Sequence, residues 1–414
     1  MLRIVGLKDA GVYLERKAIR LEEAESVVAP ILDAVRRRGD AALLEYARKF
    51  DGLEQAGVRV SREECDRALG TLPKEFLAAA ETAIANIREY AREQLPRESL
   101  REFPGGRRLG QIVRPLGSMG AYIPAGRYPL PSTLLMTVVP AQEAGVSLLC
   151  VASPKPSPEI LGLAAFLNVT HVFRMGGAQA IAALAYGTET VPRVDRIVGP
   201  GNVYVAAAKK RVAGETGIDF VAGPTEIVII AEDGNPRWIA ADMLAQAEHD
   251  VDASSILLTT SRLLAEAVAA EVERQLADLP TASVAREAIQ QNSAVIVTAS
   301  MDEALEFSNR LAPEHLALHD PSLLGGIVNA GSVFVGPNSP EAAGDYASGP
   351  NHVLPTSGAA RLRGGLSAAD FVKVISVQEL SSGGLRLIAP AVTTLARAEG
   401  LEAHARSVEV RLGD

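Results

Sequence analysis

The spacing of hydrophobic positions changes character along this chain. In PKEFLAAAETAIANIREYAREQL (73–95), Phe76, Leu77, Ala80, Ile84, Ile87, Tyr90 and Ala91 fall on one stripe of 3.6-residue period, which predicts an amphipathic helix. Gly39-Asp40 and Asp51-Gly52 punctuate earlier helices, so the first hundred residues read as helical. From about residue 111 the texture becomes short apolar runs alternating with Ala-rich segments: VSLLCVAS, SPEILGLAAFL, THVFRM, AQAIAALAYG, DRIVG and NVYVAAAKKRVAG. That alternation predicts βαβ units around a mainly parallel sheet. A second run starts at EIVIIAE (226–232) and continues through SSILLTT and SAVIVTA with helices between, so GPTE (223–226) lies near a module boundary. Beyond about residue 366, a strand-like FVKVISV and further helices form a small appended unit. The most apolar stretch, residues 134–152, is interrupted by Pro140, Gln142, Glu143 and Gly145; it reads as helix, turn and strand, not as a membrane span.

Composition narrows the function classes. At 414 residues the chain can bury a large core in two or more domains, and with 4% aromatic residues that core must be filled mainly by Ala, Val and Leu. The formal charge of −9 argues against a nucleic-acid backbone as the main ligand and is compatible with a cationic small substrate. The two cysteines offer neither a disulfide framework nor a Cys-rich zinc site. Cys65 has acidic neighbours and Cys150 sits in a buried-strand pattern, so neither is an activated nucleophile. With no signal-like start in MLRIVGLKDAG, a reducing cytoplasm is the expected compartment.

The chemistry concentrates around four of the six histidines: His249 in AQAEHD (245–250), His315 in LAPEHLAL (311–318), His352 in GDYASGPNHVLP (344–355) and His404 in EGLEAHARS (399–407). Neutral imidazole is the commonest metal ligand and the usual base near neutral pH. Gln246 and His249, three apart at a helix end, project from one face and could share an ion. Asp345 in a Gly-bounded loop with His352 adds an oxygen–nitrogen donor set suited to zinc or a similar ion. If APEHL is extended, Glu314 and His315 point to opposite faces, one to activate water and one to handle a substrate proton. Each motif alone also fits a solvated pair or a turn. Two glycine-rich turns after strands, MGGAQA (175–180) and GPGNVY (199–204), could receive a nucleotide, although neither matches GxGxxG.

Taken in order, these segments resemble the histidinol dehydrogenase family almost end to end. The resemblance is carried by RRRGDAALLEYARKFD, YIPAG (122–126), GGAQAIAALAYGT (176–188), VGPGNVYV (198–205), GPTEIVIIA (223–231), LAQAEHDVDASSILLTT (244–260), LAPEHL, AGDYASGPNHVLPT (343–356), GLSAADF and EGLEAHA. It implies an α/β fold of two incomplete Rossmann-like domains with parallel sheets, plus small N- and C-terminal units. The division expected is a segment 1–17, a discontinuous domain of 18–118 and 223–365 carrying metal and acid–base residues, a cofactor domain 119–222, and a dimer-contact unit 366–414.

The implied activity is oxidation of L-histidinol to L-histidine through the aldehyde in two NAD-dependent steps. The resemblance implies NAD contacts from Tyr122, Gln179 and Asn202, and acid–base roles for Glu314 and His315. It implies one zinc per subunit, held by Gln246, His249 and Asp345 with His404 from the partner of a homodimer. Thr225, His352 and Glu399 would help hold the substrate, together with His315 and the metal ligands. Two departures stand out: Ala125 where the family usually has a second glycine, and Thr225 where serine is commoner; the run RYPLPST (127–133) is also unusual. Absence of an activated cysteine independently favours a hydrate over a thiohemiacetal for aldehyde oxidation, and a hydrate needs a base. The nearest alternative is a related NAD-dependent dehydrogenase of another primary alcohol, such as a sulfonated diol. A metal-dependent hydrolase would turn over without NAD, and a non-catalytic metal-binding protein would tolerate loss of Glu314 and His315.

Overall fold

The computed structural model describes residues 2–14, 21–125 and 129–413. These residues form two six-stranded sheets and one three-stranded sheet. In the first, strands run in the order Arg3–Gly6, Ala294–Val297, Ser254–Thr259, Glu226–Ile230, His315–Leu318 and Ser332–Val335, all parallel. In the second the order is Arg59–Val60, His171–Arg174, Leu148–Ser153, Ser118–Tyr122, Arg196–Val198 and Gly217–Ile218, parallel except for the first pair. Leaving aside the added N-terminal edge strand, both sheets wind outward from a central strand, reverse, and wind the other way. This doubly wound plan contains the parallel α/β sheets expected from the alternating pattern.

The central strands are almost continuously apolar because helices cover both faces. Ile227, Ile229, Leu257 and Val295 face one core, while Val228, Ile230, Ile256, Leu258 and Ile296 face another across the same sheet. Around the second sheet, Met119, Ala121, Val151 and Val172 oppose Cys150, Ala152, Phe173 and Ile197 in the same way. The helix Lys74–Glu93 buries Ala80, Ile84, Ile87 and Ala91 of its predicted stripe, and leaves Tyr90 exposed. The 134–152 stretch is a helix, Pro131–Glu143, and a strand, Leu148–Ser153. Among the described residues, no helix is long and apolar enough to cross a membrane.

Chain segments are shared between the layers differently from expectation. Residues 21–93 do not join the sheet built from 226–335. Leu21–Arg38 packs on the helices Gly177–Tyr186 and Val203–Val212, burying Val28, Leu32 and Val35 in their core. Arg59–Val60 pairs with Phe173 and Val172. The N-terminal strand Arg3–Gly6 instead completes the first sheet. Ser99–Phe103 and Arg107–Pro115 pair antiparallel with Val372–Leu380, so the appended C-terminal unit is stitched to the middle of the chain. Periodicity identifies each element but carries no information about which sheet edge a short strand will choose.

Candidate active site

The first sheet brings its chemistry to the amino ends of two neighbouring strands, Glu226–Ile230 and His315–Leu318. His315 opens the strand His315–Leu318 and is registered against Ile227, so Glu226, Glu314 and His315 meet at one edge. The chain arrives from the helix Met301–Leu311 through Ala312, whose left-handed conformation (φ 54°) turns it sharply before Pro313. Glu314 precedes the first strand residue, so strand alternation does not separate it from His315. The expectation that they point to opposite faces is therefore corrected: Glu314 Oε2 lies 3.7 Å from His315 Nδ1. Both are buried.

Glu314 Oε2 accepts hydrogen bonds from the Thr225 hydroxyl (2.6 Å) and the Glu226 N–H (2.9 Å). Burial pushes its carboxyl above the usual range, against the pull of His315 and these donors. His315 Nδ1 faces the Glu226 carbonyl at 3.1 Å, which can only accept, so this nitrogen carries the proton. Its Nε2 is buried without a hydrogen-bond partner among the described residues; Asp345 Oδ1, 3.8 Å away, is a charge contact. Burial opposes charge on this imidazole, but Glu341, Glu314 and Asp345 together outweigh it and hold His315 up at about 10.

Gln246 closes the helix Pro236–Ala247 and is fully buried. Its amide nitrogen donates to Thr225 Oγ1 (2.6 Å), which leaves the single Thr225 hydroxyl proton for Glu314, and the other end of the amide faces the buried Glu341 carboxyl. His249, just beyond the helix, directs Nδ1–H to the Ala245 carbonyl (2.9 Å), leaving Nε2 free and 3.9 Å from Asp345 Oδ2. Asp345 does not lie in a loop, as the flanking glycines implied. It sits in the short helix Glu341–Tyr346, started by Pro340, which places Glu341 and Asp345 one turn apart on the same face. Burial raises the Asp345 carboxyl, but His315, His352 and His249 overcome this and hold it below its ordinary value. His352 Nδ1 donates to the Asp345 carbonyl (2.7 Å), and its Nε2 meets Thr133 Oγ1 at 3.3 Å. His352 thus ties the Asp345 segment to the helix that follows the central strand of the second sheet.

Three acidic residues at this site escaped the sequence reading. Glu341 is buried, 3.5 Å from His315 Nδ1; burial pushes its carboxyl up to about 8, with His315 opposing and Asp345 and Glu314 assisting. Its signal was the four-residue spacing to Asp345 in EAAGDY. Glu226 and Asp242 carried none beyond being acidic beside an apolar run. Imidazole, carboxylate and amide donors converging on Asp345 fit a borderline divalent cation. Among the described residues, His315, Glu341 and Asp345 form a carboxylate–imidazole group whose donor atoms lie within 4.8 Å of one another. It shares only Asp345 with the anticipated ligand set. Glu399 caps the helix Ser382–Ala398, and His404 is exposed on Glu402–Glu409. No hydrogen bond or ion pair among the described residues joins either of them to this cluster within one chain.

The second sheet contributes its carboxyl ends. Tyr122 ends the central strand, and its hydroxyl accepts from the Gly177 N–H (3.1 Å). Gln179 is buried and donates to Asp51 Oδ2 (3.0 Å), which also accepts from the Gly176 N–H (2.9 Å). Asn202 caps the helix Val203–Val212 by accepting from the Tyr204 and Val205 N–H groups (3.1 Å each). Both helix starts are thus already supplied with an acceptor from the chain itself. They do not offer the bare N–H cluster on which a GxGxxG fold seats its pyrophosphate. The strand order reverses between Tyr122 and Val198, the position at which open α/β sheets generally bind their ligands. Ala125 bridges to Pro129, while Gly126, Arg127 and Tyr128 lie outside the described residues. Cys65 and Cys150 are free and buried; burial pushes the Cys150 thiol up to about 12.

Comparison with known proteins agrees with this geometry. The family profile described as Histidinol dehydrogenase matches residues 14–412. A protein named histidinol dehydrogenase from Geobacter metallireducens is 47% identical over 99% of this chain and 98% of its own. Another so named, from Bacillus anthracis, is 47% identical over 95% of this chain and 94% of its own. The crystal structure of histidinol dehydrogenase from Elizabethkingia anophelis superposes with a TM-score of 0.95 at 37% identity, covering 99% of this chain and 98% of that one. The chain belongs to the histidinol dehydrogenase family.

Proposed function

We propose that this protein oxidises L-histidinol to L-histidine through L-histidinal, with NAD as hydride acceptor and one zinc per subunit, as the last steps of histidine biosynthesis in the cytoplasm. The observation that carries this reading is the buried Glu314–His315 pair set beside Gln246, His249 and Asp345. Tyr122, Gln179 and Asn202 would contact the dinucleotide, and Gln246, His249 and Asp345 with the partner's His404 would hold the metal in a homodimer. Bound NAD supplies the hydride acceptor, while bound zinc orients the substrate's nitrogens and counters the negative field around Asp345.

The chain's own residues do the rest. The Glu226 carbonyl fixes a proton on His315 Nδ1, and Nε2 would take the alcohol proton as hydride departs once a bound divalent cation offsets the carboxylates that hold this imidazole charged. Glu314, kept basic by burial and aimed by Thr225, removes a proton from the water or hydrate of the aldehyde. No activated cysteine competes as nucleophile. Glu399, His352 and Thr225 complete the substrate end, the carboxylate pairing with an amino cation; this favours histidinol over a sulfonated diol.

A purified-protein assay of NAD reduction with histidinol, a sulfonated diol and simple primary alcohols tests the assignment. Turnover with histidinol at least tenfold above the others is expected; turnover only with another alcohol would reassign the substrate.

A further inference from the structure

Lys209 is a lysine that the mechanism does not use, yet its side chain is 2% exposed and that of its partner Asp219 is fully buried. Burying a lone ammonium is costly, so such a pair is kept only where its geometry is satisfied. Here both ions grip the same residue. Lys209 Nζ donates to the Gly199 carbonyl (3.0 Å), and Asp219 Oδ2 accepts from the Gly199 N–H (2.8 Å). Asp219 Oδ1 also accepts from the Phe220 N–H (2.6 Å), and the Phe220 ring lies 5.8 Å from the ammonium. Gly199 follows the strand Arg196–Val198 with φ at 110°, and a Cβ there would sit 2.2 Å from the Tyr122 carbonyl oxygen. This glycine therefore lies against Tyr122 and three residues before Asn202, at the point where the strand order reverses. The clamp extends further: Arg363 donates to the Asp219 carbonyl (2.7 Å) and pairs with Asp370 (2.6 Å), tying the turn to the segment that follows the His352 loop.

We infer that the Lys209–Asp219 pair is a positioning device for the dinucleotide: it locks both backbone groups of Gly199 so that Tyr122 and Asn202 face the cofactor at a fixed separation. This rests on the NAD reading proposed above. Removing one ion would strand the other, so the informative variant is the double change Lys209→Met with Asp219→Asn, which removes the charges and keeps the volume. Its NAD dissociation constant, measured by calorimetry, is expected to rise roughly tenfold or more. KM for histidinol should stay within about twofold, as expected for a change confined to cofactor binding. Asp195→Asn serves as control, because Asp195 caps Gly117 and Ser118 at the opposite end of the same strand pair; it should lower thermal stability without changing NAD affinity.

A folded double variant with wild-type NAD affinity, or equal weakening in the Asp195→Asn control, would overturn the clamp. A wild-type protein that binds no NAD would overturn the dinucleotide reading itself. A measurement on the wild type covers the case of a variant that does not fold: added NAD should slow amide exchange across 199–205, and unchanged exchange there would count against the proposal.

Discussion

At the scale of single residues, the site centres on the His315 imidazole among the carboxyl groups of Glu314, Glu341 and Asp345. Glu314→Gln removes the group assigned to water, so oxidation of supplied histidinal should fall by about 10²–10⁴-fold in kcat, with substrate affinity little changed. His315→Asn should depress the alcohol step more than the aldehyde step, which stopped-flow following of each hydride transfer would separate. Asp242 offers a test of the electrostatics through stability. Burial pushes its carboxyl from 3.8 up to about 6, so the folded state binds this proton more tightly than the unfolded chain. The resulting cost is absent below pH 3.8, grows between the two values and is constant above about pH 6. Asp242→Asn should therefore be more stable than the parent at pH 8 by on the order of 1–2 kcal/mol, water screening part of the full shift at this half-buried position. Thermal melts across pH would register this as a gap that closes towards pH 4; a gap independent of pH would contradict the assignment.

At the scale of elements, what could be read in the sequence was what depends on local spacing. Apolar alternation located the βα units, whereas the Gln246–His249 spacing, read as one helical face, runs past the helix end at Ala247 and leaves Gln246 buried and His249 exposed. What depends on tertiary register was hidden. Glu341 stands in a six-residue helix that flanking glycines made look like a loop, and Glu314 joins His315 because strand pleating starts one residue later. Gln179 and Asn202 were legible as family positions, but their present engagement, with Asp51 and with a helix start, follows from chain packing. Asn202→Ala should lose the cap and about 0.5–2 kcal/mol of stability, while Asn202→Asp should keep most of it; melting curves of the two variants would tell them apart. If both variants weaken NAD binding, the side-chain amide contributes to the cofactor as well as to the helix.

At the scale of the whole molecule, the two doubly wound sheets carry the candidate residues at opposite strand ends. The second presents the carboxyl ends of its strands, as open α/β sheets generally do, and the first presents amino ends. The loop carrying Asn351 and His352 bridges them, through Asn351 to the Met136 carbonyl and His352 to Thr133. Glu399 and His404 remain on the C-terminal unit, which leaves Leu387, Leu395, Leu401 and Val410 exposed. A mixed dimer of His404→Ala and Gln246→Ala subunits should recover one intact site in two, about half the parental activity per dimer if sites act independently. Activity no higher than that of either parent variant would place His404 outside the site.

The central claim, two successive oxidations at one site, is tested most directly by product stoichiometry. Histidinol should be converted quantitatively to histidine with two NADH formed per molecule and no free aldehyde accumulating. One NADH with aldehyde released, or no NADH at all, would contradict it.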